Sequence, residues 1–111
     1  TDKHIRFAET VSYQDVDTWS QRDVEKPHRD RQRGMLSPKV ARMMLNLALG
    51  TDQPDEHTVL DPFCGMGTVL IEAADLGVTQ VAGNDASVEA IIASEANLKW
   101  WKNLTDQKFY K

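Results

Sequence analysis

From residue 37 onward, short apolar runs alternate with segments whose apolar residues recur every three or four positions. Ser37 suits a helix N-cap and Pro38 the first helical position. Val40, Met43, Met44 and Leu47 follow at helical spacing until Gly50 stops the run, which predicts a helix over 38–49. Residues 50–56 read as a polar turn. Thr58-Val59-Leu60-Asp61 is a short apolar run ending in an acid, the pattern of a buried parallel strand. After a tight, glycine-containing loop over 62–67, Val69, Leu70, Ala73, Ala74 and Leu76 recur at helical spacing up to Gly77. Residues 80–85 repeat the pattern of a strand ending in an acid. Ser87 can cap a third helix with Val88, Ile91, Ile92 and Leu98 on one face. Strands alternating with helices predict an α/β fold of parallel strands joined by right-handed crossovers.

The first third of the chain lacks this regularity. Residues 5–13 form a weak strand candidate with poor alternation, and residues 15–36 are polar and read as a long loop or arm. The expected organisation is an N-terminal arm over 1–36 followed by one α/β unit over 37–111.

Composition narrows the function. A chain of 111 residues holds at most one small domain, and 41% apolar with 27% charged residues is ordinary for a globular protein. The apolar runs are too short to span a bilayer, and no apolar region follows the first residues as in a signal peptide, so a cytoplasmic compartment without membrane contact is expected. The single Cys excludes an internal disulfide and a Cys-cluster metal site, and the three His have no metal-ligand spacing. A net charge of −4 argues against coating nucleic acid by charge alone. Yet residues 22–42 hold seven basic residues (Arg22, Lys26, Arg29, Arg31, Arg33, Lys39, Arg42) against three acidic ones. That strip is compatible with phosphate contact. Because its bases alternate with acids, a solvated, salt-bridged loop is the favoured reading.

The chemistry concentrates in Asp61-Pro62-Phe63-Cys64-Gly65-Met66-Gly67-Thr68, at the carboxyl end of a strand, where open α/β sheets bind ligands. Gly65 and Gly67 let the backbone turn sharply and lie against a ligand. A phosphate-cradling loop would need Gly-Lys-[Ser/Thr], and no Lys is present; a dinucleotide fingerprint would need a third Gly where Leu70 stands. What remains is a ligand with an adenosine-like part and a cationic group. Asp85, twenty-four residues after Asp61, suits a ribose diol. The arrangement suits S-adenosylmethionine. Cys64 has no His near it in sequence and reads as a small, partly buried thiol. Of Trp100 and Trp101, one is expected to be buried, and Trp19 is expected to pack.

This loop resembles motif I of class I S-adenosylmethionine-dependent methyltransferases, in the Asp-Pro-Phe-x-Gly-x-Gly-Thr form of the amino-methylating nucleic-acid enzymes. Gly83-Asn84-Asp85 resembles the acidic motif that follows it. The stretch from Arg22-Asp23 through Lys26-Pro27 to Gly34-Met35-Leu36-Ser37-Pro38-Lys39 is similar to the THUMP-associated RNA methylase family, related to the tRNA guanosine-N2-methyltransferases. Lys26 and Ser37 depart from that pattern, where Arg and Pro are expected. The resemblance covers about residues 15–98. It implies a partial Rossmann-like methyltransferase fold with an incomplete sheet and S-adenosylmethionine as cofactor. It further implies an RNA partner, tRNA in particular, and a cofactor pocket built from Met35, Leu36, Pro38, Asp61, Pro62, Phe63, Gly65, Gly67, Thr68, Asp85 and Ala86.

In that family an [Asp/Asn]-Pro-Pro-[Tyr/Phe] loop orients the target amine. The four prolines here, Pro27, Pro38, Pro54 and Pro62, are never adjacent. The chain is therefore expected to be the N-terminal half of a methyltransferase domain, without catalytic residues of its own and inactive alone. The competing readings are part of a DNA adenine or cytosine amino methyltransferase, and a non-catalytic domain that binds cofactor or RNA.

Overall fold

The computed structural model describes residues 3–30, 32 and 34–109. They form helix α1 (Val16–Ser20), a π-helical turn (Gln21–Glu25), helix α2 (Pro38–Leu49), a 3₁₀ turn (Pro54–Glu56), strand β1 (Thr58–Asp61), helix α3 (Thr68–Leu76), strand β2 (Gln80–Gly83) and helix α4 (Val88–Phe109). The two strands pair in parallel, Thr58 opposite Gln80 and Asp61 opposite Gly83, with α3 between them in sequence. The α/β class and the open, incomplete sheet agree with the sequence reading.

Local chemistry sets the element ends. Pro38 fills the first turn of α2, where a missing N–H costs nothing. The Ser37 hydroxyl makes no capping bond, so that helix starts on proline and on the bond from Ala41 N to Ser37 O (3.0 Å). Gly77 closes α3 at φ +103°, a left-handed conformation that brings its N–H to the carbonyls of Ala73 and Ala74. Ser87 does cap α4, its hydroxyl accepting from Ala90 N at 3.3 Å.

The core centres on Leu45, Ala73 and Val78, with Leu49, Val59, Val69, Leu76 and Val81 packed around them. Both α2 and α4 pack on α3. The helix faces differ from those the apolar spacing suggests. Helix α2 buries Pro38, Ala41 and Leu45 and exposes Val40, Met43, Met44 and Leu47. Helix α4 buries Ala90, Ala93, Ser94, Asn97 and Trp101 and exposes Val88 and Ile92. Close approach to α3 requires small side chains at the contact, and alanines and a serine provide it. The bulkier apolar faces point where the described residues place no further layer. For the same reason β1 is half-buried rather than fully buried: Val59 meets the core and Leu60 is exposed.

Two expectations for the first third are corrected. Residues 5–13 form no strand; Ile5, Phe7, Val11 and Tyr13 are all exposed, because poor alternation offers no face to bury. Residues 16–25 are helical rather than a loop. Asp15 starts α1 by accepting Thr18 N at 3.1 Å, and the chain then docks on the α/β unit through Arg22 and Lys26. Of the basic strip, Arg31 and Arg33 lie outside the described residues.

Candidate functional site

The loop between β1 and α3 is held to the end of β2 by backbone bonds. Asn84 N donates to Asp61 O (2.9 Å), Cys64 N to Asn84 O (2.8 Å) and Gly67 N to Cys64 O (2.8 Å). Asp61 Oδ1 accepts Phe63 N at 3.0 Å, an Asx turn that redirects the chain as it leaves the strand. Gly65 and Gly67 have φ of +50° and +83°. Their surroundings differ. A β-carbon on Gly65 would meet nothing within 4 Å, so this peptide faces open space. One on Gly67 would come within 3.0 Å of Ser94 Cβ, so this glycine is what lets α4 approach.

Asp85 follows β2 and reaches back across the loop. Its Oδ2 accepts Gly65 N at 2.9 Å and its Oδ1 accepts Ser87 N at 3.0 Å. The carboxylate is thereby oriented by peptide dipoles.

Around this point lies a cavity of about 340 Å³. Among the residues singled out from sequence, Asp61, Phe63, Gly65, Thr68 and Asp85 line one side of it, and Met35 and Leu36 bring in the arm. Gly67 is packed under Ser94, Pro38 is buried in α2, and Pro62 and Ala86 are exposed; none of these four borders the cavity. Asp30, Gly34, Cys64, Met66 and Val69 border it too and were not singled out as ligand contacts. Cys64 is buried, its Sγ 3.6 Å from Ser94 Oγ, as befits a packing thiol.

Sequence reasoning missed the residue that joins the two walls. Asn97 of α4 is fully buried. Its Nδ2 donates to His28 O and to Met66 O, and its Oδ1 accepts His28 N, all at 2.9 Å. One amide thus ties the arm to the glycine loop. The available signal was a lone polar residue in the row Ala90, Ala93, Asn97, Trp101, where helical spacing wants an apolar one.

Part of the basic strip folds inward. Arg22 Nε and Arg42 Nε meet the two oxygens of the fully buried Glu72 at 2.6 and 2.9 Å, and both arginines also pair with Asp75. The Arg22 guanidinium lies 4.4 Å from the Trp19 ring centre and 5.2 Å from that of Trp101, which is buried as expected for one of the tryptophan pair. Burial pushes the Glu72 carboxyl up from its ordinary value, against the pull of Arg22 and then Arg42. Lys26, 3% exposed, donates from Nζ to Thr68 Oγ1 at 3.2 Å, and burial holds its ammonium below the usual lysine range. Arg22 and Arg42 face the chain's own acids and rings and Lys26 faces a hydroxyl, so these three do not form the solvated loop the charge pattern favoured.

Among the described residues no group of three or more His, Cys, Asp or Glu could hold a metal ion, and no helix is long and apolar enough to cross a membrane.

The chain is similar to several characterised proteins. It is 42% identical over 73 residues to a tRNA (guanine(10)-N2)-dimethyltransferase of Methanothermobacter thermautotrophicus, covering 66% of this chain and 20% of that protein. The corresponding enzyme of Methanocaldococcus jannaschii is 39% identical over 74 residues, covering 67% and 20%. A ribosomal protein L11 methyltransferase of Hydrogenovibrio crunogenus is 36% identical over 77 residues, covering 54% and 26%. The chain therefore spans about a fifth to a quarter of the length of these relatives. Residues 26–109 match the family described as RMKL-like, methyltransferase domain, a match that takes in the arm from Lys26, the glycine loop, Asp85 and α4, and the chain belongs to that family.

Proposed function

We propose that this chain is the S-adenosylmethionine-binding part of an RNA base-amino methyltransferase, with the N2 amine of a tRNA guanine as the target. The observation that carries the reading is the meeting of the glycine loop, Asp85 and the arm around one cavity, with Asp85 Oδ2 2.9 Å from Gly65 N. The residues suit the group. The cavity is within the usual size of a small-molecule site, its wall at Gly65 is bare backbone, and its carboxylates favour a cationic ligand. Asp85 would take the ribose hydroxyls, the backbone at Gly65 would lie against the ligand, and Met35 and Leu36 would close over its methionine end. When bound, the cofactor supplies an electrophilic methyl carbon on a sulfonium. The residues of this chain bind and orient, and positioning is the main contribution to such an in-line transfer. No adjacent-proline loop occurs in these 111 residues, so the chain alone is expected to transfer no methyl group.

The tRNA target rests on the relatives named for tRNA guanine together with the arm sequence. The relative named for a ribosomal protein is 36% identical over 77 residues. The shared segment thus fits a common cofactor site better than a common substrate site. Titration calorimetry with S-adenosylhomocysteine tests the core of the reading. Saturable binding by the wild type, lost in Asp85→Ala with an unchanged circular dichroism spectrum, is expected. Absence of binding by the wild type overturns the assignment. Incubation of the chain with radiolabelled cofactor and bulk tRNA should leave the RNA unlabelled, and clear incorporation would refute the expected inactivity.

A further inference from the structure

Lys26 is a cation in an unusual place. It is almost entirely buried, and among the described residues its one hydrogen-bond acceptor is the neutral hydroxyl of Thr68. Asp23 and Glu72 act on it only at a distance; neither forms an ion pair with it. The contrast with Arg22, a few residues earlier, is direct: that guanidinium meets Glu72, Asp75 and two indole rings. A buried charge without an ion partner is costly, and an incoming group of opposite charge would lower that cost.

The geometry says where such a group would arrive. An ammonium can only donate, so in the bond to Lys26 the Thr68 oxygen must be the acceptor. The hydroxyl keeps its own hydrogen to donate, and among the described residues no acceptor takes it. Thr68 borders the cavity, whereas Lys26 does not and reaches it through the Thr68 hydroxyl. A hydroxyl polarised by a cation and left to donate into a cavity is a receptor for an anion. A ligand ammonium would be repelled there by Lys26.

We propose that Lys26 is a positioning residue for the carboxylate at the amino-acid end of the cofactor, acting through the Thr68 hydroxyl. This rests on the cofactor assignment made above and adds the group that reads that end of the ligand. The depressed proton affinity of Lys26 fits this role, because an arriving carboxylate restores the stabilisation that burial removes.

The test compares two ligands on the intact chain by titration calorimetry: S-adenosylhomocysteine, and its decarboxylated analogue, which keeps the amine and lacks the carboxylate. Lys26→Met is expected to weaken S-adenosylhomocysteine about tenfold and the analogue less than about twofold, the size of a lost charge-assisted hydrogen bond. Lys26→Arg should restore most of the affinity. Thr68→Val, which keeps the shape and removes the hydroxyl, should show the same ligand-selective loss and serves if Lys26→Met fails to fold. Equal losses for both ligands would mean a purely structural lysine and overturn the proposal, as would no loss for either. A wild-type chain that binds S-adenosylhomocysteine without this selectivity refutes only the role of Lys26. A wild-type chain that binds neither ligand refutes the cofactor assignment and this role together.

Discussion

Glu72 and Asp85 are both carboxylates of the α/β unit, one fully buried and one half-buried beside a cavity. Glu72 is fully buried between two guanidiniums supplied by the chain. Asp85 is held by the peptide N–H groups of Gly65 and Ser87 and borders a cavity. In the first case the chain answers its own charge, and the result is attachment of arm to core. In the second, two peptide dipoles orient the carboxylate beside a cavity. Charge content alone does not separate an acid buried in the interior from one set beside a cavity; placement does.

Substitutions can break that distinction. The largest effect is expected for Glu72→Ala, which removes the buried carboxylate that Arg22 and Arg42 share. Urea denaturation should show a loss of about 3–5 kcal/mol, the usual result of removing one partner of a buried ion pair. A loss under about 1 kcal/mol would mean the cluster is no anchor. Asn97→Ala comes next. It orphans the peptide groups of His28 and Met66, and should cost about 2–3 kcal/mol in the same experiment while also weakening S-adenosylhomocysteine, since it loosens both cavity walls. Gly67→Ala should cost more than Gly65→Ala. Both carry the penalty of roughly 1 kcal/mol for a left-handed residue, but only the first drives a β-carbon against Ser94. Equal thermal shifts would remove the close approach of α4 as a constraint. Asp85→Ala is expected to change stability by under about 1 kcal/mol, as for a half-buried side chain outside the core, and yet to abolish binding.

The smallest effect is in pH. Burial lowers the Lys26 pKa in the folded chain below its value of 10.5 when unfolded. Between the two values the unfolded chain holds more protons, so this group makes stability rise with pH through that alkaline window. The rise in urea midpoint from neutral to alkaline pH should be smaller in Lys26→Met than in the wild type, and an unchanged difference would place Lys26 in water.

The loop, the two strands and the ends of α3 were legible because glycine, proline and strand-end acids act within a few residues of themselves. The arm was not. Arg22 finds Glu72 at a separation of 50 residues and Lys26 finds Thr68 at 42, and nothing in the local pattern distinguishes these cations from the exposed Arg29 and Lys39. The buried helix faces escaped for another reason. Apolar spacing marks where bulk lies, whereas the residues that α2 and α4 bury include Ala41, Ala90, Ala93 and Ser94, whose merit is to be small. Asn97 combined both difficulties, being polar in a buried row and 69 residues from His28.

Those separations also set a schedule for synthesis. A ribosome adds about 5–20 residues each second. Arg22 therefore emerges roughly 3–10 seconds before Glu72, and His28 waits longer still for Asn97. The arm leaves the exit tunnel before the residues that fix it, Glu72, Thr68 and Asn97. Limited proteolysis of stalled nascent chains would follow this order: cleavage within the arm until α4 has emerged, and protection afterwards.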